Sequence, residues 1–490
     1  MMDWKELCAD VAQWAEAHRD EFVKDVSDAC RIRSTSYYNP NRANMPFGKA
    51  CRDMLEWCFD ISKRYGFATR NYDYYCGSAV YGDNADNDSL GIVAHMDIVP
   101  EHFCNMDTAN GAGGWTHDPF DPILSEDGKY LFARGTADNK SCGIMALYAM
   151  RYLQEKGIKL KNNVMLVWGL SEEIGMHDMR EFMKREKMSK IFLVPDSKYP
   201  VCIAEAGSYR YGLESAELTG VNIVDLWCGE TDDWCEPTIS VPSNEGWAIL
   251  SGVSEHVAKE SLQFFEGTRY EMLPDGNVKV IVSKTEKAPA SHNLCHVLAK
   301  CGLVTGNWNA LRVLNWLDWY TSDDTGAHMD IACNDGPNAP LSIKANYLRL
   351  EEGRIVLYTN IRWPSLADKE ALKSKLEAHW AASPMEVRQR FLMDGYYMDP
   401  KDPRIEKLAR VAKDVLGRED IPYLTDGGTY AEVLPNAIPY GATVPDRVRL
   451  FGFTKGGAHQ ADEYCDIPNL LINMQIYVRA LIELDEMYSK

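Results

Sequence analysis

Short apolar runs recur along the first part of the chain, separated by stretches with helical periodicity. The runs cover Leu90 to Ala94, Val164 to Leu170 and Ile191 to Val194, and a helical pattern from Ser141 to Leu153 lies between the first two. A fully buried strand is typically a continuous apolar run, and strands that alternate with helices favour parallel pairing. This order predicts an α/β domain with a mainly parallel sheet flanked by helices.

The pattern changes between about Ser208 and Met398. A strand pattern at Ile355 to Ile361 is followed there by a helical pattern at Leu366 to Trp380, in a less regular order than before. Helical periodicity then returns and continues into a long closing helix from about Asn469. Because 490 residues exceed what one core usually supports, we expect an α+β domain inserted into the α/β domain. The predicted boundaries are 1–207 and 395–490 for the α/β domain and 208–394 for the insertion.

The first residues predict an amphipathic helix rather than an export signal. One helical face carries Trp4, Leu7, Val11, Trp14 and Ala15, and acidic residues interrupt the stretch early. No run approaches the roughly 18 apolar residues that a membrane span needs. Fourteen cysteines occur singly, without a CxxC pair. We expect reduced thiols in a cytoplasmic protein, with a structural disulfide set as the alternative.

Net charge narrows the range of partners. The chain has 52 Lys plus Arg against 72 Asp plus Glu, which gives a formal net charge of -20. Such a surface repels phosphate backbones and anionic lipid headgroups. We therefore expect neither nucleic acid nor a membrane as a partner.

Polar side chains follow each of the three apolar runs. His95 and Asp97 come at the end of the first, Glu172 and Glu173 just past the second, and Asp196 past the third. In open α/β sheets, functional groups gather at the carboxyl ends of the strands. Three such ends bearing His, Glu and Asp predict a rim that binds metal ions.

Two further elements bring the same chemistry. Asp138 precedes the helical pattern that begins near Ser141, and His459 follows two glycines in a predicted loop. One bridging carboxylate, with one imidazole and one terminal carboxylate for each cation, satisfies a pair of zinc ions and leaves room for water. Each residue also has an ordinary alternative: Asp138 could cap the helix, Glu172–Glu173 could be a solvated turn, and His459 could be an exposed loop residue.

Eight motifs stand in one order from about residue 91 to 465. They are AHMDIVP, GWTHDPFDP, ARGTADNKS, GLSEEIG, VPDSKYPV, NIRWP, DGGTYAE and GGAHQADEY. In these motifs the chain resembles the zinc aminoacylase, carnosinase and dipeptidase family, and most closely its bacterial dipeptidase V type. The resemblance covers almost the whole chain, and it implies a zinc-exopeptidase-like catalytic domain with an inserted lid domain.

The resemblance implies a ligand role for five side chains. His95 and Asp196 would hold one zinc ion. Glu173 and His459 would hold the other, and Asp138 would bridge the two. Carboxylate-rich sites also accept manganese or cobalt, so the metal could be any of the three.

The resemblance also implies two catalytic roles. Glu172 would be the general base, and Asp97 would hydrogen-bond the His95 imidazole and fix its tautomer. Two zinc ions roughly 3.5–4 Å apart would lower the pKa of a bridging water, and Glu172 would take its proton. A metal-bridging hydroxide would then attack the peptide carbonyl, and Glu172 would return the proton to the leaving amine.

Substrate contacts are implied for both domains. Arg362, in NIRWP, matches a lid arginine that contacts the substrate or its oxyanion, with a surface strand arginine as the ordinary alternative. Gly427, Gly428 and Thr429 resemble the loop that receives the substrate's terminal carboxylate through backbone N–H groups. An ordinary helix-entry turn is the alternative there.

Two departures from the family pattern bear on the substrate. The lid histidine of the family would fall on Lys284 or Thr285, and His292 is a nearby but displaced candidate for the same substrate contact. Glu432 stands where the family commonly has arginine, which could alter the substrate charge that is tolerated.

Three functions stay open at this point. The first is a metallo-dipeptidase that acts on small peptides, favoured because a long lid closes a chamber that limits substrate length. The second is a di-metal amidase or deacylase that acts on N-acyl or N-carbamoyl amino acids. The third is a non-catalytic binder of small peptides, which the retention of Glu172 and all five ligands argues against. Whichever of the three functions applies, we expect the protein to be a monomer or a homodimer through the lid.

Overall fold

The computed structural model of the chain describes residues 3–101, 114–231, 240–334, 339–445, 447–452 and 455–489. The chain forms two compact units. Unit 1 combines Met1–Glu205 with Tyr396–Lys490, and unit 2 is Ala206–Gly395. Each unit has its own hydrophobic core.

The first stretch of unit 1 alternates helices and strands, as the apolar runs predict. Its helices are α1 (Trp4–Ala17), α2 (Arg19–Cys30), α3 (Lys49–Arg64), α4 (Lys140–Glu155) and α5 (His177–Phe182). Its strands are β1 (Ala68–Tyr72), β2 (Cys76–Tyr81), β3 (Ser89–His95), β4 (Ile123–Leu124), β5 (Tyr130–Phe132), β6 (Asn163–Gly169), β7 (Phe192–Val194), β8 (Ser197–Lys198) and β9 (Cys202–Glu205).

Unit 2 is an antiparallel sheet covered by helices. Its strands are β10 (Gly207–Ser215), β11 (Ile223–Thr231), β12 (Ser240–Leu250), β13 (Thr268–Met272), β14 (Val278–Ser283), β15 (Ser342–Glu351), β16 (Arg354–Trp363) and β17 (Met385–Met393). Its helices are α6 (Glu255–Leu262), α7 (Ala290–Lys300), α8 (Trp308–Thr321) and α9 (Lys369–Ala382). The strand order is β13-β14-β12-β11-β15-β16-β10-β17.

The last stretch of the chain returns to unit 1. Its strands are β18 (Tyr396–Tyr397), β19 (Tyr423–Thr425), β20 (Ala437–Pro439), β21 (Ala442–Thr443) and β22 (Tyr464–Asp466). Its helices are α10 (Pro403–Leu416) and α11 (Ile467–Tyr488). Asp466 caps α11, because its carboxylate accepts a hydrogen bond from the backbone N–H of Asn469 at 3.1 Å.

The main sheet of unit 1 has the order β1-β2-β6-β3-β7-β20. The pairs β6–β3, β3–β7 and β7–β20 are parallel, whereas β1–β2 and β2–β6 are antiparallel. Every residue of β3, β6 and β7 is buried, which explains why these strands read as unbroken apolar runs. The mainly parallel α/β fold and its inserted α+β segment are therefore confirmed.

Two further features concern the helices and the cysteines. Within the described ranges, no helix is long and apolar enough to cross a lipid bilayer. The cysteines that the structure describes are all free thiols, and most of them are buried.

Candidate metal centre

The candidate centre lies where three neighbouring parallel strands end. His95 is the last residue of β3 and pairs in register with Gly169, the last residue of β6. Glu172 and Glu173 follow β6 after a two-residue turn, and Asp196 lies two residues beyond β7. Because β3 is flanked by β6 and β7, the polar side chains after these strands meet at one edge of the sheet.

Asp138 lies between the two imidazoles and offers one carboxylate oxygen to each. His95 Nε2 is 2.8 Å from Asp138 Oδ1 and 3.5 Å from Asp196 Oδ2. His459 Nε2 is 3.2 Å from Asp138 Oδ2 and 3.0 Å from both carboxylate oxygens of Glu173. The five side chains predicted as ligands thus form one cluster.

Glu172 belongs to the same cluster. One of its carboxylate oxygens, one ring nitrogen of His95 and one oxygen of Asp196 all lie within 4.8 Å of one another. Glu172 also lines a cavity of about 330 Å³ together with Asp138, Glu173 and His459. The predicted general base therefore faces the same space as the predicted ligands.

Asp97 holds both His95 and the turn after β6. His95 Nδ1 lies 3.0 Å from the main-chain carbonyl oxygen of Asp97 and 3.5 Å from its carboxylate. The carboxylate accepts hydrogen bonds from the backbone N–H groups of Glu172 and Glu173, at 3.2 and 3.3 Å, and from the Ser36 hydroxyl at 2.9 Å. The sequence predicts a contact between Asp97 and the imidazole, but the nearer partner of the ring is the carbonyl, because the carboxylate is turned toward the two N–H groups.

These contacts determine which nitrogen of the His95 ring carries the proton. A carbonyl oxygen only accepts, so Nδ1 carries the proton and donates it. The other nitrogen, Nε2, faces the carboxylates of Asp138 and Asp196, which are acceptors as well. Two acceptors that face each other need a proton or a cation between them, so the position of Nε2 suits a metal ion.

The pKa shifts of the site residues also favour a cation at this position. Burial by itself lowers the pKa of His95, but the hydrogen bonds to Asp138 and Asp196 outweigh it and raise the pKa well above its ordinary value. Burial raises the pKa of Glu172 well above its usual value; the charge of His95 opposes this, and Asp196 adds to it. The same causes hold for Glu173, where burial raises the pKa and His459 opposes it.

The donor set fits two cations. The cluster holds four carboxylates, of Asp138, Glu172, Glu173 and Asp196, against two imidazoles. Unpaired negative charge of this density is costly to bury, and hard or borderline divalent cations are the partners that compensate it. The described residues therefore include groups able to hold metal ions.

Sequence reasoning missed the side chains that hold Asp138 and Asp196 in place. Glu463 accepts hydrogen bonds from the backbone N–H groups of Ala137 and Asp138, at 2.8 and 3.1 Å, and its other oxygen is paired with buried Arg134 at 2.7 Å. Asn139 donates its amide N–H to Asp196 Oδ1 at 3.0 Å. The feature of the sequence that could have revealed them is their position inside the motifs ARGTADNKS and GGAHQADEY.

The glycine loop of unit 1 borders the same cavity. Gly428 lines it, and the backbone N–H of Gly427 donates to Thr425 Oγ1 at 3.2 Å. Thr429 is buried and is held by Glu205, which accepts from its backbone N–H at 3.0 Å and from its hydroxyl at 2.8 Å. The predicted loop is thus placed at the cavity, whereas Glu205 was not predicted.

The remaining predicted contacts lie in unit 2. Arg362 is a half-buried residue of β16, between buried Ile361 and Trp363. His292 lies on α7, where its Nδ1 is 3.0 Å from the hydroxyl oxygen of Thr321 on α8. Their roles toward a substrate stay predictions.

A sheet edge that carries two imidazoles and four carboxylates is typical of metal-dependent hydrolases. Comparison with known proteins agrees: the chain belongs to the peptidase family M20/M25/M40, whose sequence pattern matches residues 91–483. The putative dipeptidase YtjP of Bacillus subtilis (strain 168) is 25% identical over 489 residues, covering 95% of this chain and 97% of that protein. The Beta-Ala-Xaa dipeptidase of Lactobacillus delbrueckii subsp. lactis is 25% identical over 483 residues, covering 96% and 97%.

The fold has a solved counterpart. The crystal structure of human carnosine dipeptidase 1 superposes with a TM-score of 0.60 at 15% identity, covering 98% of this chain and 99% of that chain. At this identity the likeness shows the fold alone.

Proposed function

We propose that the chain is a metallo-dipeptidase that hydrolyses the peptide bond of small peptides, with two zinc ions as cofactor. His95 and Asp196 would hold one ion. Glu173 and His459 would hold the other, and Asp138 would bridge the pair. Family membership and the dipeptidase names of the relatives support this substrate class.

One observation carries the proposal. Five predicted ligands, drawn from positions as far apart as His95 and His459, approach one another through ring nitrogens and carboxylate oxygens at 2.8–3.5 Å. Each imidazole faces two carboxylates, and Asp138 is common to both. This symmetry matches a pair of cations that share one carboxylate.

The protein's own residues would then have separate roles in the reaction. Zinc ions bound in such a site polarise a carbonyl and acidify water. Glu172 would accept a proton from water on its carboxylate and return it to the leaving amine nitrogen. Asp97 positions Glu172 and Glu173 through their backbone N–H groups, and the loop Gly427–Thr429 would bind the terminal carboxylate of the substrate.

We assign unit 1 to the catalytic domain and unit 2 to the lid. Arg362 and His292 would contact the substrate from the lid. The free thiols support a cytoplasmic location. The assembly is proposed as a monomer or a homodimer through unit 2, which sedimentation of the zinc-loaded protein would distinguish.

A substrate screen tests the function. The protein, reconstituted with zinc, manganese or cobalt in separate samples, is incubated with neutral dipeptides and with N-acetyl and N-carbamoyl amino acids. We expect release of free amino acids from the dipeptides. Cleavage confined to the N-acyl or N-carbamoyl substrates would assign an amidase or deacylase instead. Peptide binding without hydrolysis in every metal form would assign a binding protein.

A further inference from the structure

A second and larger cavity of unit 1 adjoins the metal cluster. It has a volume of about 710 Å³, against about 330 Å³ for the cavity at the cluster. The two cavities share Lys198, Thr443, Arg447 and Ala458 as lining residues. Lys198 and Arg447 therefore lie at the boundary between the reactive groups and the larger space.

The larger cavity is lined by more cations than anions. Among the residues that the structure describes, four basic ones line it, Lys198, Arg447, Arg449 and Lys455, against one acidic residue, Asp420. Such an excess is unusual for a chain whose formal net charge is -20.

Several of these charges are already used within the protein. Lys455 forms an ion pair with buried Asp462, and Asp420 pairs with Arg418. In the part of the chain that the structure describes, neither Lys198 nor Arg447 forms an ion pair with a carboxylate. Their positive charge is therefore available to a ligand.

Aromatic rings hold these two cations in position. The Lys198 ammonium lies 4.8 Å from the ring centre of Tyr423, and the Arg447 guanidinium lies 4.4 Å from that of Tyr464. Lys198 is also fixed through its backbone, because it pairs with Thr443 and donates its N–H to the Tyr423 hydroxyl at 2.6 Å. Two cations held in this way are arranged to meet an anion at low entropic cost.

Acidic side chains lie near the glycine loop that borders the cluster cavity. A carboxylate oxygen of Glu432 lies against Gly428, where a Cβ would stand only 2.1 Å from it. Buried Glu205 lies behind the same loop, on Thr429. Acidic side chains thus lie behind the glycine loop, whereas the basic side chains of Lys198 and Arg447 line the cavity itself.

We propose that Lys198 and Arg447 form a subsite for a carboxylate carried by the substrate, so that the enzyme prefers dipeptides with an acidic side chain. The proposal rests on the dipeptidase function proposed above. The cations compensate locally for the repulsion that an acidic protein exerts on an anionic substrate. A hydrogen-bonded contact with a charged group is worth roughly tenfold or more in affinity.

Matched substrates test the subsite. We would measure kcat/KM for Ala-Glu against Ala-Gln and for Glu-Ala against Gln-Ala, with the zinc-loaded wild type and the variants Lys198→Gln and Arg447→Gln. The wild type should prefer one acidic peptide by roughly tenfold over its amide, and each variant should lose most of that ratio. Lys401→Gln, an exposed lysine that lines neither cavity, makes the same change in net charge and should keep the ratio.

Binding measurements test the subsite independently of peptide hydrolysis. Ketomethylene isosteres of the same four peptides cannot be hydrolysed, and their Kd values are measured by calorimetry. An acidic preference in Kd that Lys198→Gln abolishes supports the subsite even if no peptide is cleaved. Equal Kd values for acidic and amide isosteres would overturn the subsite, whether or not the neutral dipeptides are hydrolysed. The preference should also weaken as salt concentration rises.

Discussion

Glu205 accepts two hydrogen bonds from Thr429, one from its backbone N–H and one from its hydroxyl. The two residues are 224 positions apart in the sequence, at the ends of the paired strands β9 and β19 or just beyond them. Both are buried, so the hydrogen bonds are shielded from water. This contact fixes the glycine loop relative to the strands that enter it.

Thr429→Val tests the role of this contact. The valine keeps the shape of the side chain but removes the donor, which leaves one oxygen of buried Glu205 without its hydroxyl partner. A buried acceptor that is left unsatisfied costs about 1–3 kcal/mol. We expect a lower free energy of unfolding and a KM for dipeptides raised roughly tenfold. Thr429→Ser keeps the hydroxyl and should lie closer to the wild type; equal KM values for the two variants would contradict the assigned role.

Glu172→Ala separates proton transfer from metal binding. Because Glu172 is proposed as the base and not as a ligand, turnover should fall by at least about 10²-fold, the usual contribution of a general base. Metal content, measured by mass spectrometry after dialysis, should stay near two ions per chain. Asp138→Asn is the matched comparison, since loss of the carboxylate proposed to bridge the two ions should lower the metal content as well. Hydrolysis at the wild-type rate in Glu172→Ala would refute the assignment.

Asp97→Ala should weaken metal binding without removing a ligand. Its carboxylate holds the backbone of both Glu172 and Glu173, so its loss frees the turn that carries the proposed base and a proposed ligand. Loss of a residue that orients metal ligands typically costs 10–100-fold in metal affinity. Competition with a zinc chelator measures the Kd. Asp83→Ala removes an exposed carboxylate and should leave the Kd unchanged; an equal change in both variants would indicate a general charge effect instead.

The predicted ligands of the site could be recognised in the sequence, whereas the residues that support them could not. The apolar run at Leu90 to Ala94 is the strand Ser89–His95, so the polar residue at its end was visible in the sequence. Pattern reasoning was less accurate for α9, which begins at Lys369 and not at Leu366, because Asp368 caps it through the N–H of Ala371. Periodicity does not reveal such a cap when several polar residues adjoin the helix.

The supporting residues could not be predicted, because their partners are distant in the sequence. Glu463 holds Ala137 and Asp138 across more than 320 positions, and Glu205 holds Thr429 across 224. Strand periodicity and local motifs contain no information on such pairs. A buried carboxylate that accepts backbone N–H groups is recognised only when the chain is folded.

Removal of metal should destabilise unit 1. The cluster then holds four carboxylates with only two imidazoles to compensate them. A ligand present at a hundredfold excess over its Kd stabilises the folded state by about 2.7 kcal/mol for each site. We expect the Tm to fall by several degrees in a chelator and to recover when zinc is returned. Asp138→Asn, which lacks the carboxylate proposed to bridge the ions, should show a smaller fall in Tm with the chelator; an identical fall would show that the chelator acts elsewhere.

His177 stacks on Tyr38, with ring centres 3.8 Å apart and planes within 9°. Burial, and to a smaller degree the charge of Arg180, lower the pKa of His177 from 6.5 to about 4. The unfolded chain therefore binds a proton more readily than the folded chain between these two values. It follows that the stabilising effect of neutral His177 is complete above pH 6.5 and is lost as the pH falls toward 4.

His177→Phe should make the protein less sensitive to mild acid. Phenylalanine retains a flat ring against Tyr38 but has no proton to gain, so one contribution to acid denaturation disappears. The difference in the free energy of unfolding between variant and wild type should change by on the order of 1–2 kcal/mol between pH 7 and pH 4.5, because solvent screens this partly exposed site. Urea unfolding at a series of pH values measures it. His256→Phe alters an exposed histidine and should follow the wild-type curve; parallel curves for His177→Phe and wild type would contradict the lowered pKa.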